Sequence, residues 1–85
     1  MNANRMSPHL MEAYYYKGST YRDMKDAPRA VDAFLRAAEI GKRCSNDTLN
    51  GRIYGQLASL FAFQRLYHES MEATQQAYKY NLALP

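Results

Sequence analysis

The sequence predicts an all-α protein of four helices, arranged as two tandem antiparallel hairpins. Three observations carry this. Apolar residues recur at helical spacing in four separate stretches, and no run alternates apolar with polar residues as a half-buried strand would. Four glycines and three prolines, seven in all, are few for a meander of strands. A pattern of aromatic and small residues also recurs 40 residues on: Tyr14, Gly18, Tyr21, Ala30, Phe34 and Ala37 align with Tyr54, Ala58, Phe61, Ser70, Thr74 and Ala77. Size class is kept at most pairs, and such a period signals tandem supersecondary units.

Residues 1–7 are polar and irregular and read as a flexible segment. Ser7-Pro8 starts the first helix, about Pro8–Met24: serine caps the first free amides, and proline fits a turn where its missing N–H is not needed. Leu10, Met11, Tyr14, Gly18 and Tyr21 lie at helical spacing along it. Asp26 caps the second helix, about Ala27–Arg43, with Pro28 in its first turn. Its apolar arc, from Ala30 through Phe34 to Ile40, is wider than one neighbour requires and predicts contacts on two sides. The linker 44–47 leads through capping residues into the third helix, about Asp47–Arg65, with Leu49, Ile53, Tyr54, Leu57, Leu60 and Phe61 on one side. Gly51 and Gly55 lower its propensity by roughly 1 kcal/mol each and predict close approach of another helix. Leu66-Tyr67-His68 is a turn without a good cap. The fourth helix, about His68–Leu82, carries Met71, Ala73, Thr74, Ala77 and Tyr78. Hairpin one spans about 8–43 and hairpin two about 48–83. Short connections make successive helices antiparallel.

Eighty-five residues make one small domain with little core to spare. The net charge of +3 comes from 11 basic and 8 acidic residues with interspersed signs, and the longest basic run is Lys42-Arg43. Nucleic-acid binders cluster charge on one face, so a mixed, solvated surface is the better reading. The lone Cys44 excludes an internal disulfide and a cysteine zinc cluster, and reads as an ordinary thiol in a reducing compartment. Residues 1–10 lack the apolar core of a secretory signal, and no run reaches the roughly 18 apolar residues of a membrane span. The expectation is a soluble, cytoplasmic chain.

The two copies, Tyr14-x-x-Lys17-Gly18-x-x-Tyr21 with Ala30-x-x-x-Phe34-x-x-Ala37, and Tyr54-x-x-Leu57-Ala58-x-x-Phe61 with Ser70-x-x-x-Thr74-x-x-Ala77, resemble a tetratricopeptide repeat. The likeness covers about Met11–Leu82. It implies a two-unit fragment of an α-solenoid, in which Gly18 and Ala58 face Ala30, Ala37, Ser70 and Ala77 where helix axes approach closely. It departs in places. The family period is about 34 residues, so the surplus predicts an extended second helix or a longer loop around Gly41–Leu49. The closing proline is replaced by Lys42 and Leu82. At the 40-residue offset only Tyr14/Tyr54, Ser19/Ser59, Ala33/Ala73 and Ala37/Ala77 are identical. A plain four-helix bundle would show the amphipathicity but no reason for small residues to recur at a fixed offset.

The resemblance implies a protein-interaction or scaffold module within a larger, bacterial-type assembly. It implies a protein or peptide partner in a groove lined by the first helix of each hairpin: Glu12, Tyr15, Ser19, Arg22 and Asp23, then Arg52, Gln56, Ser59 and Phe63. Helical geometry independently leaves most of the first set off the face carrying Tyr14, Gly18 and Tyr21. Tyr15 and Phe63 stand out, because exposed aromatics anchor interfaces more often than charges do. The family's carboxylate clamp is not supported, since Tyr15, Ser19 and Gln56 replace its Lys and Asn residues. Stacked repeats need polar ends. The fourth helix instead shows Met71, Tyr78, Leu82 and Leu84, which predicts that another copy of the chain, or further repeats, covers this face.

Catalysis and cofactors find no support in the sequence. His9 and His68 lie in different hairpins, and His68 beside Glu69 is not a dyad, because adjacent helical side chains diverge. No phosphate loop, metal-ligand spacing or nucleophile motif is present. Tyr14-Tyr15-Tyr16 is not a stacking platform for bases, since consecutive rings on a helix point apart. Tyr14 is expected in the core, Tyr15 in the groove and Tyr16 against a neighbouring element. Two other readings are an oligomerisation or regulatory segment of a DNA-binding or signalling protein, and a nucleic-acid binder.

Overall fold

The computed structural model describes residues 8–82. Ser7, Leu84 and the side chain of Leu82 lie outside the described residues. The chain folds into α1 (Pro8–Asp23), α2 (Ala27–Gly41), α3 (Asp47–Phe63) and α4 (Tyr67–Leu82). Each helix packs against the next in sequence: α1 on α2, α2 on α3 and α3 on α4. α2 therefore has two neighbours, as its wide apolar arc requires. The result is a flat array of about 39 × 29 × 18 Å.

The two hairpin turns are built alike, atom for atom, 40 residues apart. Lys25 and Arg65 adopt left-handed conformations, φ 65° and 66°. The Lys25 N–H donates to the Arg22 carbonyl and the Asp26 N–H to the Tyr21 carbonyl, both at 2.9 Å. Arg65 and Leu66 do the same to Ala62 and Phe61, at 3.0 and 2.8 Å. This is the Schellman closure that satisfies the last carbonyls of a helix. It stops α1 at Asp23 and α3 at Phe63, one and two residues short of the expected ends. Glycine usually marks such a stop, and neither turn has one, so the sequence did not signal it. Asp26 caps α2 as expected, its Oδ1 accepting from the Arg29 N–H at 3.3 Å. Asn46 caps α3, accepting from the Leu49 N–H at 3.1 Å. The surplus over the shorter period appears as a loop, Lys42–Asn46, rather than as an extended α2.

The core is continuous through both hairpins. Met11, Phe34, Ile53 and Leu57 are its largest fully buried apolar side chains, with Ala30, Ala37 and Ala73 buried among the same cluster. Gly18 lies flat on Phe34: a Cβ there would stand 2.9 Å from three atoms of the ring. The open ends of the hairpins show a size exchange at the same offset. In hairpin one, Met11 meets Gly41, where a Cβ would lie 2.7 Å from Met11 Cε. In hairpin two the glycine is on the other helix: Gly51 takes Met11's place, Asn81 takes Gly41's, and a Cβ on Gly51 would lie 3.0 Å from Asn81 Oδ1. Gly51 thus has the packing reason expected of it. Gly55 does not, since nothing lies within 4 Å of where its Cβ would be.

Hairpin two is held differently from hairpin one. Thr74, in Phe34's place, is exposed. The Ser70 hydroxyl instead donates across the hairpin to the Ala58 carbonyl at 2.8 Å. Tyr54 stacks on Tyr80, with ring centroids 5.8 Å apart and planes within 10°. Asn50 ties the hairpins together: buried, it donates from Nδ2 to the Gly41 carbonyl at 3.3 Å.

Candidate interaction surfaces

Three surfaces emerge from this packing. On the first, the Arg22 guanidinium donates to Gln56 Oε1 and bridges α1 to α3. Arg22, Ser59 and Phe63 line a cavity of about 220 Å³ whose apolar wall is Ala27 and Leu60. Four of the nine groove residues named from the sequence thus come together. Phe63 is 77% exposed, the most open large apolar side chain among the described residues. Tyr15 behaves otherwise: it is half-buried, with its ring 5.7 Å from that of Phe34 and edge-on to Tyr16 at 5.6 Å. It is more a part of the core rim than an open anchor, because α2 passes close to α1 at Gly18 and the Phe34 ring reaches beneath it. Ser19 is half-buried, while Glu12, Asp23 and Arg52 are exposed; none of these lines the cavity. Tyr16, expected against a neighbouring element, projects into solvent.

The second surface was not foreseen. α2 and α4 stand apart over α3 and leave a cleft of about 580 Å³. Tyr54, Leu57 and Phe61 reach it from α3, with Leu35 and Lys42 on one wall and Glu69, Glu72 and Gln76 on the other. Burial pushes the Tyr54 hydroxyl above the ordinary tyrosine range, and its stacked partner Tyr80 adds to this. The available signal was Leu35, an apolar residue on the solvent side of α2.

The third surface is the outer face of α4. Tyr67, Met71 and Tyr78 follow one another at helical spacing and are 60–65% exposed, with Thr74 between them. Met71 and Tyr78 are two of the four residues expected on an uncovered end.

Among the described residues, no set of three His, Cys, Asp or Glu side chains could hold a metal. His68 pairs with Glu72, one turn on, at 3.3 Å, an exposed contact that the adjacent Glu69 could not make. Arg22, Arg29, Arg36 and Lys42 each lie within 3.6 Å of an acidic side chain. Exposed pairs of this kind add little stability. No described helix is long and apolar enough to cross a membrane. No family model, curated protein or solved structure matches the chain.

Proposed function

We propose that the chain is a non-catalytic protein-interaction module of the tetratricopeptide type, a scaffold element that holds a partner polypeptide on the α1/α3 face. The observation that carries this is the Arg22–Gln56 bridge between two hairpins of the same design, with the exposed Phe63 ring beside it over an apolar cavity. A rigid pair of helices bearing an open aromatic next to satisfied polar groups is what a protein interface needs: an anchor to desolvate and a rim to set register.

The test uses the immobilised chain to capture proteins from its source cell, followed by mass spectrometry, with Phe63→Ala as the control. Phe63 is so exposed that its removal should leave the thermal melt unchanged. The expected result is a protein retained by the wild type and lost from the variant. Retention of nothing by the wild type would refute the reading, and an identical set on both would move the partner off this face.

A further inference from the structure

The 40-residue offset makes the α2·α3 seam a template for a contact the chain can make with a second copy of itself. The side of α2 turned to α3 runs from Ala27, which shares a cavity with Leu60 and Phe63, to Gly41, whose carbonyl accepts from Asn50. Val31, Phe34 and Ala38 lie between them at the same helical phase, all buried or half-buried, with the Phe34 ring also packed on α1. Advanced by 40 residues, Ala27, Val31, Phe34 and Ala38 become Tyr67, Met71, Thr74 and Tyr78, all exposed. On α3, Asn50 and Leu60 are the residues that reach Gly41 and Ala27, and Ile53 and Leu57 share their phase. Ile53, Leu57 and Leu60 are all buried, and Gln64 follows at the same phase. Set back by 40 residues, Ile53, Leu57, Leu60 and Gln64 become Ala13, Lys17, Thr20 and Met24 of α1, all exposed. Both halves of the internal seam therefore recur on the molecule's two outer helices, each without a covering helix among the described residues.

We propose that chains stack head to tail, with α1 of one copy lying on α4 of the next as α3 lies on α2. This rests on the interaction-module reading and names the partner at a different face.

Size complementarity supports the choice of α1 as the occupant. At two of its levels the internal seam sets a smaller residue of α2 against a larger one of α3, with Phe34 and Leu57 level between them and Thr74 and Lys17 in their places outside. The antiparallel register, fixed by Asn50 bonding to Gly41 at one end and by Ala27 lining a cavity with Leu60 and Phe63 at the other, sets Ala38 opposite Ile53 and Val31 opposite Leu60. At the outer faces the sizes are exchanged: Tyr78 would meet Ala13, and Met71 would meet Thr20. The same exchange already operates inside the molecule, where Met11 and Gly41 become Gly51 and Asn81. The one charge on the incoming face, Lys17, can lay its stem on the tyrosines and keep its ammonium in water. A contact between unlike faces does not close on itself, so stacking continues into rings or filaments rather than stopping at a dimer.

The experiment is sedimentation velocity of the purified chain at increasing concentration, with Ala13→Arg and Tyr78→Arg, both exposed sites, checked for folding by circular dichroism. The expected result is a wild type that grows beyond a dimer and two variants that are each monomeric. An equimolar mixture of the variants should form a single heterodimer, because one keeps an intact α4 face and the other an intact α1 face. A wild type that stays monomeric overturns stacking, while partner capture through Phe63 remains a separate question. Association lost in Tyr78→Arg but kept in Ala13→Arg overturns it in favour of α4 pairing with α4. A mixture that stays monomeric also overturns it.

Discussion

The contact between Gly18 and Phe34 offers a test in which the chain supplies its own control. Gly18 and Gly55 both lie inside helices, so replacing either with alanine gains about 1 kcal/mol of helix propensity. Their surroundings differ. At Gly55 the new methyl meets nothing within 4 Å, and the propensity gain should appear alone. At Gly18 it would stand 2.9 Å from three atoms of a fully buried ring, and the ring cannot swing clear because Tyr15 packs beside it. Overpacking of this kind costs about 1–3 kcal/mol, so Gly18→Ala should fall between neutral and about 2 kcal/mol destabilised. The difference between the two variants isolates the steric effect at about 1–3 kcal/mol. For a domain of this size each kcal/mol moves the midpoint by about 4–8 °C. The assay is thermal and urea unfolding followed by circular dichroism at a concentration where the chain is monomeric. If Gly18→Ala is as stable as Gly55→Ala, the close approach of α1 and α2 does not exist as described.

Three further outcomes are expected. Lys25→Gly and Arg65→Gly should each stabilise the fold by about 0.5–1 kcal/mol, because a side chain in the left-handed region is strained and glycine is not; a loss in urea midpoint would contradict the turn geometry. Asp26→Ala and Asn46→Ala should each lower stability by about 1 kcal/mol through loss of a helix cap, read from the same unfolding curves. Tyr54 is held neutral by burial, so its contribution is complete below the ordinary tyrosine value of about 10 and is lost as pH rises through its raised folded value. Tyr54→Phe should therefore flatten the alkaline fall in stability, and an unchanged fall would place the titrating group elsewhere.

Much of this protein was legible in the sequence by itself. The four helices, the caps at Asp26 and before α3, and the 40-residue offset follow from short-range rules: apolar spacing, proline and aspartate at helix starts, and the recurrence of small residues. Such features depend on a side chain and its near neighbours along the chain, so one dimension suffices. The groove residues were half legible. Arg22, Gln56, Ser59 and Phe63, which the resemblance put on one groove, lie together, whereas the phase of Tyr15 alone could not reveal that the Phe34 ring lies against it. Tertiary structure decided the rest. It gave Gly51 a partner and Gly55 none, opened a cleft between α2 and α4, and exchanged large for small between Met11 and Gly41 on one hairpin and Gly51 and Asn81 on the other. Those outcomes depend on how far apart two helix axes stand, which is set by the volumes of residues tens of positions apart. Spacing along the chain carries the phase of each helix, but only the packed molecule carries the distance between them.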